Sequence, residues 1–528
     1  MAEKLKYFVN GQFRESKTDK WYDLHNPSTG EITGQAPCCT NDEVLEAIAA
    51  AKAAYPGWSA TPAIKRAQIL YRVRELILER MDELTMSVAK ENGKVWAESE
   101  GDVLKAKEGT ELATQVPSLM MGESIMDASR GYDTVKYREP LGVFAGIVPV
   151  NFPAMIPFGW MAPTCIAAGN TLVLKAASLT PKTAMLFAQL YKDAGVPDGV
   201  INVVTCSRNE INTILEHPDV KGITFVGSTP VGLKIYEKAA ANGKRCQALC
   251  QAKNHALVME DCALERTVAG VINSAFGCAG QRCMALSCCV VQDNIADAFV
   301  AELKKQAEKV NCGPAWDKSS RLGPITYEKH YKEVLADIDK GVAEGATLVL
   351  DGRNTVVEGY ENGYFVGPLL LIEPVGGDRL ALCVEAISVL TQAMQVAEEG
   401  LFVPAEGDKA DRYRNTHVDA DLAAVGTAGK LPGIIAALGV DHGAVGIGIG
   451  VHNGQALLKV LAPFDRRSPP TGSMRRRKRQ RKSPPGTAPS KRINSKSTPI
   501  MVCSFLILSF IRSLCPCQTG PDFCRMYR

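Results

Sequence analysis

The 528-residue sequence lacks a recognisable segment for crossing a membrane or leaving the cell. Its opening, MAEKLKYFVN, has neither the apolar core of a signal peptide nor the Arg- and Ser-rich helix of a transit peptide. We therefore expect a cytoplasmic protein, or a mitochondrial one if the natural N-terminus is longer. The 17 cysteines are then expected to be free thiols, because disulfide frameworks belong to oxidising compartments.

Three further signatures are missing. The Cys515–Cys517 pair has no second pair at metal-ligand spacing, so no metal is expected. The apolar run at 499–511 is shorter than the roughly 20 residues that span a bilayer, so no membrane contact is expected. The glycine-containing turn at 227–232 reads G-S-T-P-V-G, which is not the G-x-G-x-x-G pattern of dinucleotide-binding turns.

Charge is distributed unevenly along the chain. The whole sequence has 60 Lys and Arg against 57 Asp and Glu, yet residues 466–528 hold 15 basic residues and one acid, Asp522. This basic segment includes R-R-R-K-R-Q-R-K at 475–482. We rank out-of-frame or mis-spliced translation first, a disordered extension second and a nucleic-acid module a distant third. The prediction is a disordered basic tail without a nucleic-acid partner, after an unassigned segment at 396–465.

The rest of the sequence favours an α/β protein with a large core, since 46% of the residues are hydrophobic. Apolar residues recur at helical spacing in 41–55 and 65–81. Buried-type strands are predicted at 169–175 and 199–205, with a helix-like segment between them. A strand–helix–strand order indicates a parallel sheet.

The segment S-A-F-G-C-A-G-Q-R-C-M-A-L-S at 274–287 presents Cys283 as a candidate nucleophile. The small residues Gly277, Ala279 and Gly280 precede it and would allow close approach of a substrate to the backbone. For a cysteine taken alone, the alternative is a small buried hydrophobic side chain.

Two strand ends upstream supply the other parts that a reactive thiol needs. One β-branched run ends near Asn151, whose amide could stabilise an oxyanion or, equally, cap the following helix. A second strand ends at Gly227 and Ser228, with Pro230 predicted at the first position of a helix. Such a helix N-terminus is a candidate phosphate site.

Together these motifs resemble the aldehyde dehydrogenase superfamily, and most closely its CoA-acylating methylmalonate-semialdehyde dehydrogenases. The resemblance runs collinearly from the N-terminus to about Pro374 and then stops. It implies a parallel-sheet nucleotide-binding domain at 1–250, with an oligomerisation segment near 125–145, and an incomplete α/β catalytic domain at 251–395. It is carried by the segments at 8–13, 26–31, 118–123, 140–147, 252–259, 280–287 and 359–368.

The resemblance also implies roles for individual residues. Cys283 would be the nucleophile and Asn151 an oxyanion donor. Arg282 and Lys105 would bind a substrate carboxylate, although a salt-bridged structural role for Arg282 is equally open. The expected cofactor contacts are Pro149, Phe152, Lys175, Ser178, Gly227 and Ser228.

Three positions depart from the family pattern, and a fourth is a candidate counterpart of a family residue. Leu249 stands where hydrolytic members have a water-activating glutamate. Ser178 replaces the glutamate that binds the ribose hydroxyls, which leaves NADP open beside NAD. Lys105 replaces an arginine and lacks its bidentate fork. Glu385 is the one candidate for the carboxylate that holds the nicotinamide ribose, and the Phe-Gly-Pro that should follow it is absent.

The sequence therefore predicts a homo-oligomeric NAD(P)-dependent aldehyde dehydrogenase that uses CoA and acts on methylmalonate or malonate semialdehyde. Two alternatives stay open. A catalytically impaired relative that retains nucleotide binding is favoured by the altered motifs, and a hydrolytic semialdehyde dehydrogenase is disfavoured by Leu249.

Overall fold

The computed structural model describes residues 3–372 and two later strands, at Gly446–His452 and Gln455–Leu461. The predictions for Glu385 and for the tail at 466–528 lie outside the described residues. Within the described part, no helix is both long enough and apolar enough to cross a membrane.

The described strands are β1 (Tyr7–Val9), β2 (Gln12–Arg14), β3 (Trp21–His25), β4 (Ile32–Pro37), β5 (Ser124–Ser129), β6 (Tyr132–Val135), β7 (Val143–Ile147), β8 (Thr171–Lys175), β9 (Ile201–Val204), β10 (Val220–Val226), β11 (Arg245–Leu249), β12 (Asn254–Val258), β13 (Leu286–Val291), β14 (Thr347–Leu350), β15 (Leu370–Ile372), β16 (Gly446–His452) and β17 (Gln455–Leu461).

The described α-helices are α1 (Asn41–Ala60), α2 (Ala63–Glu79), α3 (Met81–Asn92), α4 (Trp96–Ala113), α5 (Val116–Leu119), α6 (Ala162–Ala167), α7 (Lys182–Asp193), α8 (Arg208–Glu216), α9 (Thr229–Ala241), α10 (Leu264–Phe276), α11 (Asp293–Ala307) and α12 (Glu328–Ala343). A π-helix at Ile156–Met161 precedes α6, and a 3₁₀ turn at Gly277–Gly280 follows α10.

A seven-stranded sheet carries the first two-thirds of the described chain, in the order β11-β10-β7-β8-β9-β1-β2. The five strands from β11 to β9 are parallel, and β1 and β2 extend the sheet antiparallel. The parallel α/β architecture predicted from the sequence is confirmed. After β7 the chain builds β8 and β9 on one side, and then returns to place β10 and β11 on the other side. The strand order therefore reverses between β7 and β10, which is where doubly wound sheets open a ligand crevice.

Hydrophobic cores lie on both faces of this sheet. One contains residues of α2, α4, α6 and α7, and the other contains residues of α1, α8 and α9. A third core draws only on residues 258–371, from β12 and β13 and from α10, α11 and α12. The domain limits at 250 and 395 stay predictions.

Local sequence explains where α1 begins, and a tertiary contact explains why the helix extends beyond its predicted range. Thr40 and Glu43 form a reciprocal capping box at its N-terminus. The helix runs to Ala60, five residues beyond the predicted 41–55. In the last turns the buried Trp58 indole donates to the Ile166 carbonyl at 2.9 Å, which anchors that end to the core.

The hairpin of β5 and β6 differs from the rest, because every residue of both strands is exposed. Its exposed apolar side chains include Ile125, Met126 and Val135. The two later strands, β16 and β17, pair antiparallel with each other.

Candidate active site

The loop that carries Cys283 begins with the 3₁₀ turn after α10. Cys278 and Ala279 have left-handed backbone angles, φ 53° and 50°, which non-glycine residues seldom adopt. Gly277 is required for a side-chain reason, because a Cβ there would meet the Arg282 guanidinium. At the other end of the loop, the Asn254 amide donates to the Cys283 carbonyl at 3.0 Å and so fixes the loop to the start of β12.

The Cys283 thiol is partly buried. Burial raises its pKa, whereas the backbone N–H groups of Cys283 and Met284 and the charges of Lys94 and Arg282 act in the opposite direction. The groups that favour the thiolate are thus already in place around the sulfur. An exposed cysteine elsewhere on the surface would lack both the shelter and these donors.

Asn151 lies beside this loop, as the sequence predicted. Its buried Nδ2 donates to the Gln281 carbonyl at 3.0 Å, and its Oδ1 has no partner among the described residues. Asn151 does not cap the following helix, whose N-cap is Met155. The amide therefore spans from the end of β7 to a residue two positions before Cys283.

Gln281 is the buried residue that holds this junction together. Its Oε1 accepts from the N–H and the hydroxyl of Thr326, both at 3.0 Å, and its Nε2 donates to the Cys278 carbonyl at 3.0 Å. The Asn92 carbonyl, 2.9 Å away, is the alternative acceptor for the single hydrogen of the Thr326 hydroxyl, and the Asn92 amide donates to the Val150 carbonyl at 2.9 Å. Such a network fixes the loop because each buried polar group is partnered.

Arg282 adopts the salt-bridged arrangement. Its Nη2 lies 3.0 Å from Glu98 Oε1, and its Nε donates to the Cys278 sulfur at 3.2 Å. The same carboxylate oxygen accepts from the Cys278 N–H at 2.7 Å. Nη1 has no hydrogen-bond partner within residues 3–372, so the guanidinium retains donors for a substrate carboxylate.

A buried ion pair lies behind the β7 loop. Lys94 Nζ is 2.8 Å from Asp102 Oδ2, and both side chains are almost wholly buried. The same ammonium lies 3.5 Å from the ring centroid of Phe152, while Asp102 Oδ1 accepts from the Met155 N–H at 2.7 Å. The pair therefore holds the segment after Asn151 against α4.

Sequence reasoning missed Lys94, Glu98 and Asp102. The available signal was their spacing, because Glu98, Asp102 and Lys105 follow each other at four and three residues and share one face of α4. Lys105 itself pairs with Glu108 at 2.6 Å on this helix. Its contact with a substrate carboxylate stays a prediction.

The predicted cofactor residues gather at the reversal of strand order. Pro149 and Phe152 follow β7, and Gly227 and Ser228 follow its parallel neighbour β10. Ser228 is the N-cap of α9, but its buried hydroxyl makes no hydrogen bond within residues 3–372. Pro230 stands at the second helical position, one residue later than predicted. A helix N-terminus with an unused hydroxyl fits a phosphate group.

A cleft of about 750 Å³ opens beside this point, between α8 and α9. Lys175 and Ser178 line it, at the end of β8 and just beyond. The apolar part of its wall is formed by Ile211, Leu215, Val231 and Ile235. An apolar wall beside a basic residue fits the adenosine end of NAD or NADP.

Comparison with known proteins agrees with this geometry. The model of the aldehyde dehydrogenase family matches residues 13–381. The chain belongs to the aldehyde dehydrogenase family. It is 40% identical over 439 residues to malonate-semialdehyde dehydrogenase 1 of Geobacillus thermodenitrificans, covering 80% of this chain and 90% of that one. It is 43% identical over 367 residues to the acylating mitochondrial methylmalonate-semialdehyde/malonate-semialdehyde dehydrogenase of Rattus norvegicus, covering 70% and 68%.

A solved structure gives the same assignment. It is of a candidate methylmalonate-semialdehyde dehydrogenase from Sinorhizobium meliloti 1021 complexed with NAD, 35% identical, with a TM-score of 0.70. The match covers 72% of this chain and 77% of that one. As a family member this chain is an oxidoreductase that binds NAD or NADP, and the family predicted from the sequence is confirmed.

The sequence resemblance assigns Leu249 to the family's water-activating position, which is apolar in this chain. Leu249 ends β11, and its carbonyl accepts from the Gly227 N–H at 3.1 Å. The leucine thus lies next to the turn at Gly227 and Ser228. Its side chain can neither accept a proton nor orient a water molecule.

Proposed function

We propose that this chain oxidises malonate semialdehyde or methylmalonate semialdehyde and transfers the acyl group to CoA, giving acetyl-CoA or propionyl-CoA with release of CO₂. The observation that carries the proposal is the combination of a sheltered Cys283 with an apolar Leu249. The first supplies a nucleophile, and the second removes the group that would direct the acyl intermediate to water. Relatives named for these substrates support it.

The reaction begins when the Cys283 thiolate attacks the aldehyde carbon and forms a thiohemiacetal. The backbone N–H groups that surround the sulfur, together with the Asn151 amide, stabilise the oxyanion. For the side chain of Asn151 to do this, its Nδ2 must turn from the Gln281 carbonyl or share its second hydrogen, which is possible because an amide nitrogen carries two donors.

The nicotinamide of NAD or NADP, when bound, accepts the hydride that converts the thiohemiacetal to a thioester. Ser228 and the start of α9 would hold the phosphates, and Lys175 and Ser178 the adenosine end. The CoA thiol then attacks the thioester carbonyl, and Cys283 leaves as a thiol. The β-carboxylate of the substrate departs as CO₂, the electron pair of the broken C–C bond passes into the thioester enolate, and a proton from solvent then adds to the α-carbon. Arg282 Nη1 and Lys105 are proposed to orient the carboxylate before it leaves.

We propose self-association through the hairpin of β5 and β6. All its residues are exposed, and they include apolar side chains that a lone subunit would leave in water. Substituting both Ile125 and Met126 by serine is expected to lower the oligomeric mass measured by light scattering. An unchanged mass would contradict the proposal.

The deciding experiment mixes the purified chain with malonate semialdehyde and NAD or NADP, with and without CoA. Reduced nucleotide and acetyl-CoA that both require CoA would support the acylating reaction. Reduced nucleotide with free acid and no need for CoA would favour the hydrolytic alternative. A folded chain that binds nucleotide without turnover would favour the impaired relative, and Cys283→Ser is the matched control.

A further inference from the structure

The Arg282 guanidinium is held along one edge and against one face. Its Nε donates to the Cys278 sulfur at 3.2 Å and its Nη2 donates to Glu98 Oε1 at 3.0 Å, so both contacts use the edge that these two nitrogens share. Gly277 lies against the face of the group, because a Cβ there would meet its central carbon and both terminal nitrogens. The end formed by Nη1 and the second hydrogen of Nη2 has no acceptor within residues 3–372.

Glu98 is the negative charge in this arrangement. Burial and the nearby Glu98 charge raise the pKa of the Cys278 thiol to about 11, so its sulfur is a neutral acceptor near pH 7. Glu98 lies in the first turn of α4, where the helix dipole favours a negative side chain, and it is the ion-pair partner of Arg282 within the described chain. The half-buried guanidinium therefore depends on Glu98 for both its charge balance and its orientation.

The same carboxylate oxygen also fixes the backbone of the nucleophile loop. Glu98 Oε1 accepts from the Cys278 N–H at 2.7 Å, and Cys278 has the left-handed backbone angle that begins the turn leading to Cys283. One atom thus contacts the guanidinium and the start of the loop together. Because a shift of either would break one of these contacts, Glu98 sets the position of the free Arg282 donors relative to the loop.

We propose that Glu98 is a positioning residue for substrate selection, which orients Arg282 so that its open end binds the substrate carboxylate while the aldehyde carbon meets Cys283. The inference rests on the proposed function for the place of that carboxylate at Arg282. Glu98 acts through Arg282 and does not touch the substrate. A planar guanidinium held along one edge offers its remaining N–H groups at a fixed angle, which suits bidentate contact with a carboxylate.

The test measures binding without turnover, as protection of Cys283 from iodoacetamide, followed on the Cys283 peptide by mass spectrometry. The probes are 3-hydroxypropanoate, which has the substrate carboxylate but no aldehyde, and its uncharged amide, 3-hydroxypropanamide. The carboxylate probe is expected to protect the native chain at the lower concentration. Glu98→Ala should raise the concentration of this probe that is needed roughly tenfold or more, because the charge-assisted contact loses its geometry. The same variant should change the value for the amide within about twofold. Glu100→Ala, two residues further along α4, is the matched control.

Glu98→Gln keeps a side-chain acceptor and is the variant to use if Glu98→Ala folds poorly. It should recover part of the lost protection, and its KM should rise more for malonate semialdehyde than for propanal, with kcat for propanal within about threefold of native. Unchanged protection by the carboxylate probe in both variants, an equal loss for both probes, or no protection of the native chain would overturn the inference. Acyl-CoA formation in that case would leave the proposed function standing. The expected protection pattern in a chain that forms no acyl-CoA would support the role of Glu98 and contradict the proposed function.

Discussion

The nucleophile loop and the nucleotide cleft are built on opposite principles. Around Cys283 the buried polar side chains are held by neighbours, including the Arg282–Glu98 pair and the Gln281–Thr326 hydrogen bonds, and Asn151 Oδ1 is the exception. In the cleft, Ser178, Arg208 and Lys234 leave their side-chain groups unused by the described residues, as does Ser228 at the start of α9. A reaction centre gains from geometry fixed before the substrate arrives, whereas a recognition surface must keep donors free for its ligand.

Removing the Cys283 thiol should distinguish the roles of the two regions most strongly. Cys283→Ser is expected to lower the dehydrogenase rate on the order of 10⁴-fold or more, because no other group can form the thioester. Nucleotide binding, measured by fluorescence titration, should stay unchanged. Retained turnover would remove Cys283 from the mechanism, and Cys262→Ser, away from the loop, is the control.

The next largest effect is expected from breaking the buried Lys94–Asp102 ion pair, which tests whether the Cys283 loop depends on it. Lys94→Met leaves Asp102 buried without its partner and should lower the free energy of unfolding by about 3–5 kcal/mol. Loss of the ammonium should also raise the pKa of the Cys283 thiol, because Lys94 favours the thiolate.

Urea unfolding and the pH dependence of iodoacetamide labelling measure the two quantities. Lys332→Met breaks an exposed pair with Glu328 and should cost no more than about 1 kcal/mol. Equal losses in both variants would contradict the role of the buried pair.

Asn151→Ala tests whether the Asn151 amide stabilises the oxyanion of the reaction or only the conformation of the Cys283 loop. As an oxyanion donor its loss should reduce kcat by about 10²–10³-fold, with a smaller change in KM. Asn242→Ala, at the exposed end of α9, is the control. A variant that is less stable but has unchanged kcat would assign Asn151 a structural role alone.

The smallest effect concerns the end of α3, next to the network that holds the Cys283 loop. Asn92 contacts the reaction-centre network, while the adjacent Glu91 accepts from the N–H groups of Lys182 and Thr183 at the start of α7. Burial raises the pKa of Glu91 to about 7 from 4.5, despite hydrogen bonds from Thr183 and Lys182 that oppose the shift.

A raised acid pKa stabilises the fold at low pH, and that stability is lost as pH rises from about 4.5 through 7. Relative to Glu91→Gln, the native chain should lose roughly 3 kcal/mol across this window. Urea unfolding at several pH values measures the loss, with the exposed Glu31→Gln as control. A pH-independent difference would contradict the assignment.

Sequence reasoning predicted the parts of the candidate site that contiguous motifs contain. Cys283 and Asn151 were predicted to work together, and the structure places the Asn151 amide against the loop of the nucleophile. Helices and strands with a clear periodicity were found where expected. The structural reason for Gly277 was not predicted from the sequence. The glycine makes room for the Arg282 guanidinium rather than for a substrate.

The sequence by itself determined the family and the parallel α/β class, and it predicted Cys283 as the nucleophile, since each of these follows from residues that are neighbours in the chain. Only the tertiary structure revealed the buried Lys94–Asp102 pair, the Glu98 support of Arg282 and the basic wall of the cleft. The physical reason is that charges on separate elements acquire partners, or remain without them, only when folding sets the distances between those elements.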